Sequence, residues 1–327
     1  MPIRNARLLA AILPALLIGP ENARLASAQA VEFTSEASQM PPAGPVSAVD
    51  AKHACVGLAY TADAGASWTS WNPLHGDNRF LNSPAEGQNT FFLTIERGWL
   101  SGTGAVWATD DGGATWRPQV PGHIHAMAFV GRAGYLAAGN GHSVKNYTTT
   151  DAGRTWVDCG SSWELSRVAP WASASFIDPR NGWVTTANYD RLERPILGGV
   201  ARTTDGGCTW TEIWRDGSGV GRILGSLQFV DSEFGWLVAP YASLLATSDG
   251  GRHWRPVKLP GLNLESAYLS NRNSGWVAGG TPQGTAVFYT ADGGSHWAAV
   301  LPAHLREDSG IPSLWGYAFL AKAHQRQ

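Results

Sequence analysis

The sequence predicts an all-β protein assembled from repeated units of four strands. Its 327 residues include 39 glycines and 16 tryptophans, and only 15% of them are charged, where about 25% is usual. One eight-residue motif recurs six times, and an aromatic-glycine-aromatic signature precedes most copies. Many glycines and aromatics with few charges predict short strands joined by tight turns, and they argue against disorder, a coiled coil or a charged helical bundle.

The N-terminal segment is predicted to be a signal peptide covering residues 1–30. Arg4 and Arg7 precede an apolar run from Leu8 to Ile18, and Ala28-Gln29-Ala30 has the form of a cleavage site. The run is shorter than the roughly 20 apolar residues that a membrane span needs. We therefore expect a linker over residues 31–45, a single domain over residues 46–327, and a periplasmic or secreted protein.

Charge and cysteine content limit the classes of partner and cofactor. Counted from residue 31, the chain has 21 basic and 25 acidic side chains, so neither nucleic acid nor an anionic membrane is an expected partner. An exported protein meets an oxidising compartment, where Cys159 and Cys208 could form a disulfide, but the sequence leaves this pairing open. No Cys/His spacing typical of a metal site occurs, and no metal or cofactor is expected.

The repeated motif has the form T-x-D-x-G-x-[STH]-W, and its copies begin 40 to 54 residues apart. This period suits a four-stranded propeller blade of about 40–50 residues. An Asp carboxylate can close a turn by accepting backbone hydrogen bonds, and six near-identical copies favour this structural role over calcium binding or catalysis. The six pairs are Asp63 and Trp68, Asp111 and Trp116, Asp151 and Trp156, Asp205 and Trp210, Asp249 and Trp254, and Asp292 and Trp297.

The second signature predicts where the four strands of each unit lie. In the fifth unit, strand A contains Gln228 and Phe229, strand B begins at Gly235-Trp236, strand C covers Ser243 to Thr247, and strand D begins at the motif Trp. The same aromatic-to-Gly spacing occurs at Phe92 and Gly98-Trp99, Phe129 and Gly134-Tyr135, Phe176 and Gly182-Trp183, and Tyr268 and Gly275-Trp276.

The six motifs look like Asp-boxes, the BNR repeats of sialidases and other propellers. The combined GW…TxDGGxTW unit more closely resembles the photosystem II stability/assembly factor-like family of exported propellers. This resemblance covers nearly all of residues 31–327, and it implies a β-propeller that binds protein as an assembly or stability factor for a membrane complex.

The two ends of the chain suggest how the ring closes. Residues Ser313 to Leu320 resemble a lone strand A, whereas the first repeat lacks a clear one, with Val46 to Val49 as its strand B and Cys55 to Thr61 as its strand C. Pairing of the N- and C-terminal strands would complete a first blade and remove an exposed edge. Six blades are predicted, with seven as the alternative that the resembled family suggests.

Candidate binding residues fall on both faces of the predicted propeller. Strand connections A–B and C–D share one face, where arginines recur in the A–B turns and could bind an acidic partner, although Glu233 breaks the series. The longer D–A and B–C loops crowd the other face, where function often lies. The candidates are Arg97, Arg132, Arg180 and Arg272 on the first face, and Tyr189, Asp190, Arg191, Glu193, Arg194, Trp163 and Trp171 on the second.

Three classes of function are compatible with this sequence. A sialidase would need an arginine triad whose first member lies in an F/Y-R-I-P-like motif, and that motif is absent. We therefore favour an exported, non-catalytic propeller that binds protein. A sialidase-like or other glycoside hydrolase and a lectin-like carbohydrate binder remain the alternatives, and the sequence identifies no catalytic residues, no specific partner and no oligomeric state.

Overall fold

The computed structural model describes residues 46–49, 52–56, 59–62, 69–70, 90–102, 104–140, 143–160, 173–189, 195–216, 225–239, 243–282 and 284–301. These residues form six four-stranded sheets, and every pairing within a sheet is antiparallel between strands adjacent along the chain. Each sheet is one blade, and its strands take the positions A to D in chain order.

The strand bounds follow the predicted repeat, except that strand D begins one residue after the motif tryptophan in the second to sixth blades. The first three blades are β1 (Val46–Ala48), β2 (Ala54–Val56), β3 (Ala59–Thr61) and β4 (Thr69–Ser70); β5 (Thr90–Phe92), β6 (Gly98–Gly102), β7 (Ala105–Thr109) and β8 (Arg117–Pro121); and β9 (His123–Val130), β10 (Ala133–Asn140), β11 (Ser143–Thr149) and β12 (Val157–Asp158). The last three are β13 (Ala174–Phe176), β14 (Gly182–Tyr189), β15 (Pro195–Thr203) and β16 (Thr211–Arg215); β17 (Leu227–Phe229), β18 (Gly235–Ala239), β19 (Ser243–Thr247) and β20 (Arg255–Val257); and β21 (Asn263–Leu269), β22 (Gly275–Thr281), β23 (Gly284–Thr290) and β24 (Ala298–Leu301).

Consecutive blades pack through the strand A of the later one. Strand β5 contacts β1 and β2, β9 contacts β6, β13 contacts β9, β17 contacts β13 and β14, and β21 contacts β18. A series of antiparallel four-stranded sheets joined in this way is a β-propeller, so the fold class predicted from the repeat is confirmed.

The first blade differs from its predicted strand assignment. Residues Val46–Ala48 form the first strand, at one edge, of the order β1-β2-β3-β4, so they are strand A and not strand B. The predicted single strand from Cys55 to Thr61 is divided between β2 and β3. The first repeat has no Gly-Trp signature to mark its strand B, and its strands are only two or three residues long. The expected closing strand at residues 313–320 lies outside the described residues, so ring closure and the choice of six over seven blades stay predictions.

The aromatic residue of strand B forms the contact between blades. Trp99, Trp183 and Trp236 are almost completely buried, and Tyr135 takes the same position in the third blade. Trp183 stacks on Phe229 of the next blade at 3.9 Å between ring centroids, and its indole N–H donates to the Gly250 carbonyl at 2.8 Å. The motif tryptophans do not fill this position, since all of those in the described residues except Trp210 are only half-buried.

Side chains of one blade also satisfy backbone groups at the inner edge of the next. The Gln228 side-chain amide donates to the Leu269 carbonyl and accepts from the Leu269 N–H, both at 2.7 Å. Ser173 and Ser175 accept hydrogen bonds from the N–H groups of Leu227 and Phe229, both at 2.9 Å. These side-chain amide and hydroxyl groups therefore form hydrogen bonds with backbone groups that have no neighbouring strand on that side. Backbone N–H and C=O groups that are buried need such partners.

A disulfide joins the third and fourth blades. Cys159 follows β12, Cys208 lies in the loop before β16, and their Cα atoms are 5.1 Å apart. The two cysteines are 49 positions apart in the chain, and the segment between them crosses from one blade to the next, so the bond is a covalent link across a blade interface.

Candidate functional site

The described Asp-box loops and the A–B turns lie on one face, as predicted. In each of five blades, the residue after the motif Asp donates its backbone N–H to a carbonyl of the A–B turn of the same blade. We call this side of the molecule the Asp-box face. The five bonds are Gly112 to Glu96 at 2.8 Å, Ala152 to Arg132 at 2.8 Å, Gly206 to Arg180 at 2.9 Å, Gly250 to Glu233 at 2.9 Å and Gly293 to Asn273 at 2.7 Å. Asp63 and Trp68 lie outside the described residues.

The motif carboxylates are engaged inside their own loops. Asp111 accepts from the Thr109 hydroxyl at 2.7 Å, the Thr115 N–H at 2.8 Å and the Thr115 hydroxyl at 2.6 Å. Asp151 and Asp205 repeat this arrangement. These bonds support a structural role for the carboxylates.

A histidine replaces the motif hydroxyl in the last two blades. His253 Nδ1 lies 2.6 Å from Asp249 Oδ2, and His296 Nδ1 lies 2.6 Å from Asp292 Oδ2. The imidazole therefore takes the place of the threonine hydroxyl, and the loop geometry is kept.

These hydrogen bonds favour the ionised form of the carboxyl groups. The hydroxyl and N–H of Thr115 hold the pKa of Asp111 below its usual value. The backbone N–H and the ring of His296 lower the pKa of Asp292 to about 2. A general acid needs a carboxyl that is protonated near neutral pH, so neither group is suited to that task.

Arg97 is placed inside a blade interface. It is 9% exposed, forms an ion pair with Asp110, and donates to the Ala152 carbonyl of the next blade at 3.4 Å. Desolvation and the nearby Arg154 and Arg117 lower the pKa of Arg97. The Arg97 guanidinium is therefore committed to joining the second and third blades.

Arg272 is also committed to neighbouring groups. Its Nε donates to Asp231 Oδ2 at 2.6 Å, and its Nη2 donates to Asp231 Oδ1 at 2.9 Å and Glu233 Oε2 at 2.8 Å. These carboxylates raise the pKa of Arg272 further. The residue that interrupts the arginine series in sequence, Glu233, is thus a partner of the next arginine. An open polar depression of about 500 Å³ lies here, lined by Val230, Asp231, Ser270, Asn271, Arg272 and Asn273.

Neither Arg132 nor Arg180 forms an ion pair with a carboxylate among the described residues, although Arg180 interacts electrostatically with the Asp178 carboxylate of its own turn. Both are exposed on A–B turns, and Arg180 Nε donates to the Thr204 carbonyl at 3.3 Å. Two further exposed arginines, which the sequence analysis did not single out, donate to the backbone of their own loops: Arg154 to Asp151 O at 3.4 Å and Arg252 to Asp249 O at 3.0 Å. They occupy the variable position before [STH]-W, so aligning the six motifs on the sequence would have found them. We call Arg132, Arg154, Arg180 and Arg252 the arginine surface.

Most candidates on the opposite face lie outside the described residues. These are Asp190, Arg191, Glu193, Arg194, Trp163 and Trp171. Tyr189 ends strand β14, where its backbone pairs with Pro195 across a register shift. A binding role for all seven stays a prediction.

The two histidines near the start of the third blade lie within β9. The register shifts so that Ile124 and Ala126 pair with adjacent residues of β10, which makes His125 the extra residue of a β-bulge. His125 is buried, with Nε2 3.4 Å from the Gly139 carbonyl, whereas His123 is half-buried. In a regular strand, residues two positions apart point to the same side, so His123 and His125 would lie side by side. The bulge interrupts this alternation.

Within the described part of the chain, no three His, Cys, Asp or Glu side chains are arranged to hold a metal ion. The same part of the chain includes no helix that is long and apolar enough to cross a membrane.

Comparisons of sequence relate the chain to one family. A family model described as photosynthesis system II assembly factor YCF48 matches residues 219–308. A curated relative, "Photosystem II assembly protein Ycf48" from Synechococcus sp. (strain JA-2-3B'a(2-13)), is 43% identical over 224 residues, which cover 57% of this chain and 64% of the relative. The chain thus spans about 64% of the length of this curated relative.

Comparisons of structure agree with the propeller fold. A solved structure titled "YCF48 bound to D1 peptide" has a TM-score of 0.53 at 19% identity, covering 84% of this chain and 86% of that one. YCF48 from Cyanidioschyzon merolae has a TM-score of 0.52 at 16% identity, covering 82% and 88%. At these identities the likeness concerns the fold. Together with the sequence matches, it confirms the resemblance to the photosystem II assembly factor-like family.

Proposed function

We propose that this protein is an exported, non-catalytic β-propeller that binds an acidic segment of another protein through the arginine surface. In this proposal it acts as an assembly or stability factor for a membrane complex. Two similarities support the role: a 43% identical relative is named as an assembly protein, and one solved propeller of similar fold is titled as bound to a peptide.

The observation that carries the proposal is a contrast between arginines and carboxylates on the Asp-box face. Arg132 and Arg180 are exposed and form no ion pair with a carboxylate among the described residues, whereas Asp151 and Asp205 accept hydrogen bonds within their own loops. The Asp178 carboxylate, which interacts electrostatically with Arg180, also accepts hydrogen bonds within its own turn. Guanidinium groups bind carboxylates through paired, charge-assisted hydrogen bonds. This face therefore offers exposed guanidinium donors to the carboxylates of another protein.

Export is supported by the N-terminal sequence and by the disulfide. Residues 1–30 have the form of a signal peptide, and the Cys159–Cys208 bond is of a kind that persists in oxidising compartments. We expect protein purified from its native host to begin at Val31. An N-terminus at Met1 in the native host would contradict the proposed export.

Lack of catalysis is supported by the engagement of the motif carboxylates, whose pKa values are held low. Hydrolysis of sialosides or other glycosides by the purified protein in a panel of substrates would contradict a non-catalytic role.

Binding can be tested with a deca-glutamate peptide and with membrane extract from the native host. We expect replacement of Arg132, Arg154 and Arg180 together by Ala to weaken peptide binding by about threefold to a hundredfold at low salt, since each exposed charge contributes roughly 0.2–1 kcal/mol. Affinity should also fall as salt rises, because exposed charges are screened. The same variant should lose a membrane-protein partner that the wild type captures.

The matched control is Arg215→Ala. Arg215 is exposed, ends β16 at the side away from the Asp-box loop, and pairs with Glu212. We expect this variant to bind like the wild type. Equal binding by the wild type and by the triple variant would show that the arginine surface is not the binding site.

A further inference from the structure

The disulfide lies between blades that carry three residues of the arginine surface. Arg132 and Arg154 belong to the third blade and Arg180 to the fourth, and Cys159–Cys208 joins these two blades. We propose that this bond is a thiol–disulfide exchange site, and that its reduction by a dithiol oxidoreductase weakens binding at the arginine surface. The inference rests on the proposed function for its consequence, although not for the exchange itself.

A short path of contacts connects the disulfide to Arg180. Cys208 lies in the loop 203–210, which holds the Arg180 turn at two points. The Gly206 N–H donates to the Arg180 carbonyl at 2.9 Å, and Arg180 Nε donates to the Thr204 carbonyl at 3.3 Å. Because the other end of the disulfide is Cys159 in the third blade, the bond limits how far this loop can move relative to Arg132 and Arg154.

The rest of the interface is held by noncovalent packing. The Tyr135 ring contacts Phe176 and Trp210 with centroids 5.5 and 5.1 Å apart, and Val184 and Ala201 complete the same apolar cluster. The loop also keeps its own clasp through Asp205 and Thr209. Reduction is therefore expected to leave the blades folded and to remove the covalent limit on their relative displacement.

The sulfur atoms are placed for exchange. Both cysteines are half-buried, so each residue keeps part of its surface exposed to solvent. The Thr148 hydroxyl lies 3.7 Å from Cys159 Sγ and 3.9 Å from Cys208 Sγ. A hydroxyl at this position can donate a hydrogen bond to the thiolate that leaves when the disulfide is attacked, and a better leaving thiolate speeds exchange.

The dithiol partner supplies the two electrons that reduce the disulfide. One thiolate of the partner attacks a sulfur of the disulfide, so that the S–S bond breaks, a mixed disulfide forms and the other cysteine leaves as a thiolate, which takes a proton. The second thiol of the partner then attacks the mixed disulfide and releases the remaining cysteine. The partner ends as a disulfide, and two electrons and two protons have passed to Cys159 and Cys208.

The test uses the full chain with Cys55→Ser, so that only these two cysteines are counted, and dithiothreitol as the dithiol. We expect the oxidised protein to bind a deca-glutamate peptide. Reduction should weaken that binding roughly three- to tenfold, because the arginines of the two blades would no longer be held in fixed relative positions before the peptide binds. Reoxidation should restore the affinity. The double variant Cys159→Ser/Cys208→Ser should bind like the reduced protein.

Three outcomes separate this inference from the proposed function. Two thiols that can be alkylated in the folded protein, with unchanged affinity for the peptide, would overturn the control of binding. Thiols that appear only in denaturant would overturn the exchange site. An oxidised protein that does not bind the peptide would contradict the proposed function, while alkylation would still report on exchange.

Thr148 provides a second test that does not depend on peptide binding. We expect Thr148→Val to slow reduction by dithiothreitol several-fold and to leave the affinity of the oxidised protein unchanged. Thr211→Val is the matched control, since Thr211 is an exposed strand residue in β16. Equal reduction rates for Thr148→Val and the wild type would overturn the role given to the hydroxyl.

Discussion

In four blades, the glycine before the strand-B aromatic is required by a phenyl ring from strand A. A Cβ atom on Gly98 would lie 2.7 Å from the Phe92 ring, and one on Gly182 would lie 2.5 Å from the Phe176 ring. Atoms this close cannot be accommodated without movement of a packed ring. The same contact is repeated at Gly134 with Phe129 and at Gly235 with Phe229, so it explains the aromatic-to-glycine spacing in these four blades. In the sixth blade, a Cβ atom on Gly275 would instead meet the Trp236 ring of the preceding blade at 2.7 Å.

Gly182→Ala is expected to destabilise the protein by about 1–3 kcal/mol, the usual cost of overpacking a core. Urea denaturation measures the difference. Gly280→Ala is the matched control, because Gly280 also lies in a strand, has no positive φ, and a Cβ there would meet nothing within 4 Å. Equal stability of the two variants would contradict the ring contact.

Pairs of blades are joined by polar residues as well as by rings. Gln119 of β8 accepts from the indole N–H groups of Trp99 at 2.8 Å and Trp156 at 3.1 Å. Its Nε2 donates to the carbonyls of Gly153 at 2.8 Å and Arg154 at 3.0 Å. One side chain thus connects the second blade to the Asp-box loop of the third, and it also positions the backbone of Arg154 on the arginine surface.

The substitution Gln119→Glu removes only the hydrogen bonds that the Gln119 side chain donates. The carboxylate still accepts from both tryptophans but has no N–H for the two carbonyls, so we expect a loss of about 1–3 kcal/mol in the free energy of unfolding at neutral pH. Gln119→Met removes both the donated and the accepted hydrogen bonds and should cost at least as much. Thermal or urea unfolding measures both variants, and a Gln119→Glu protein as stable as the wild type would contradict the contact.

Across the whole molecule, the repeated clasps couple stability to pH. The motif carboxyl groups Asp111, Asp151, Asp205, Asp249 and Asp292 all have pKa values below the usual range in the folded protein. Groups with a lowered folded pKa stabilise the folded state above the unfolded pKa, near 4, and this contribution is lost as the pH falls through the folded value.

We therefore expect the urea midpoint to fall steeply between about pH 4 and pH 2, the window between the unfolded carboxyl pKa and the value of about 2 for Asp292. Asp292→Asn should lower stability at pH 7 and flatten this pH dependence, because one of the coupled groups is removed. A midpoint that does not change between pH 4 and pH 2.5 would contradict the coupling.

Much of the fold was predictable because each blade repeats the same local contacts. The turn clasp involves residues two to four positions apart, as in Thr109, Asp111 and Thr115. The Phe–Gly pair spans only an A–B turn. Such short-range contacts leave a regular pattern in the sequence, and the strand bounds followed from it in the five later blades. The first blade lacks the Gly-Trp signature, and there the strand assignment was wrong.

The candidate site was less predictable, because its properties depend on groups far apart in the chain. The sequence treated Arg97, Arg132, Arg180 and Arg272 as equivalent. In the folded protein they differ in their partners. Asp110 and the Ala152 carbonyl bind Arg97, and Asp231, 41 residues away in the chain, binds Arg272. The pairing of Cys159 with Cys208 also depended on the neighbouring blade.

The sequence by itself determined the repeated blade, because its turns and ring contacts are local and recur with a fixed period. The tertiary structure decided which tryptophans are buried, which arginines form ion pairs and which cysteines are joined. These outcomes depend on the positions of atoms in the neighbouring blade, and a local sequence pattern contains no information about those positions. Local contacts within each blade therefore define this fold, whereas long-range contacts between blades arrange the residues to which we assign a function.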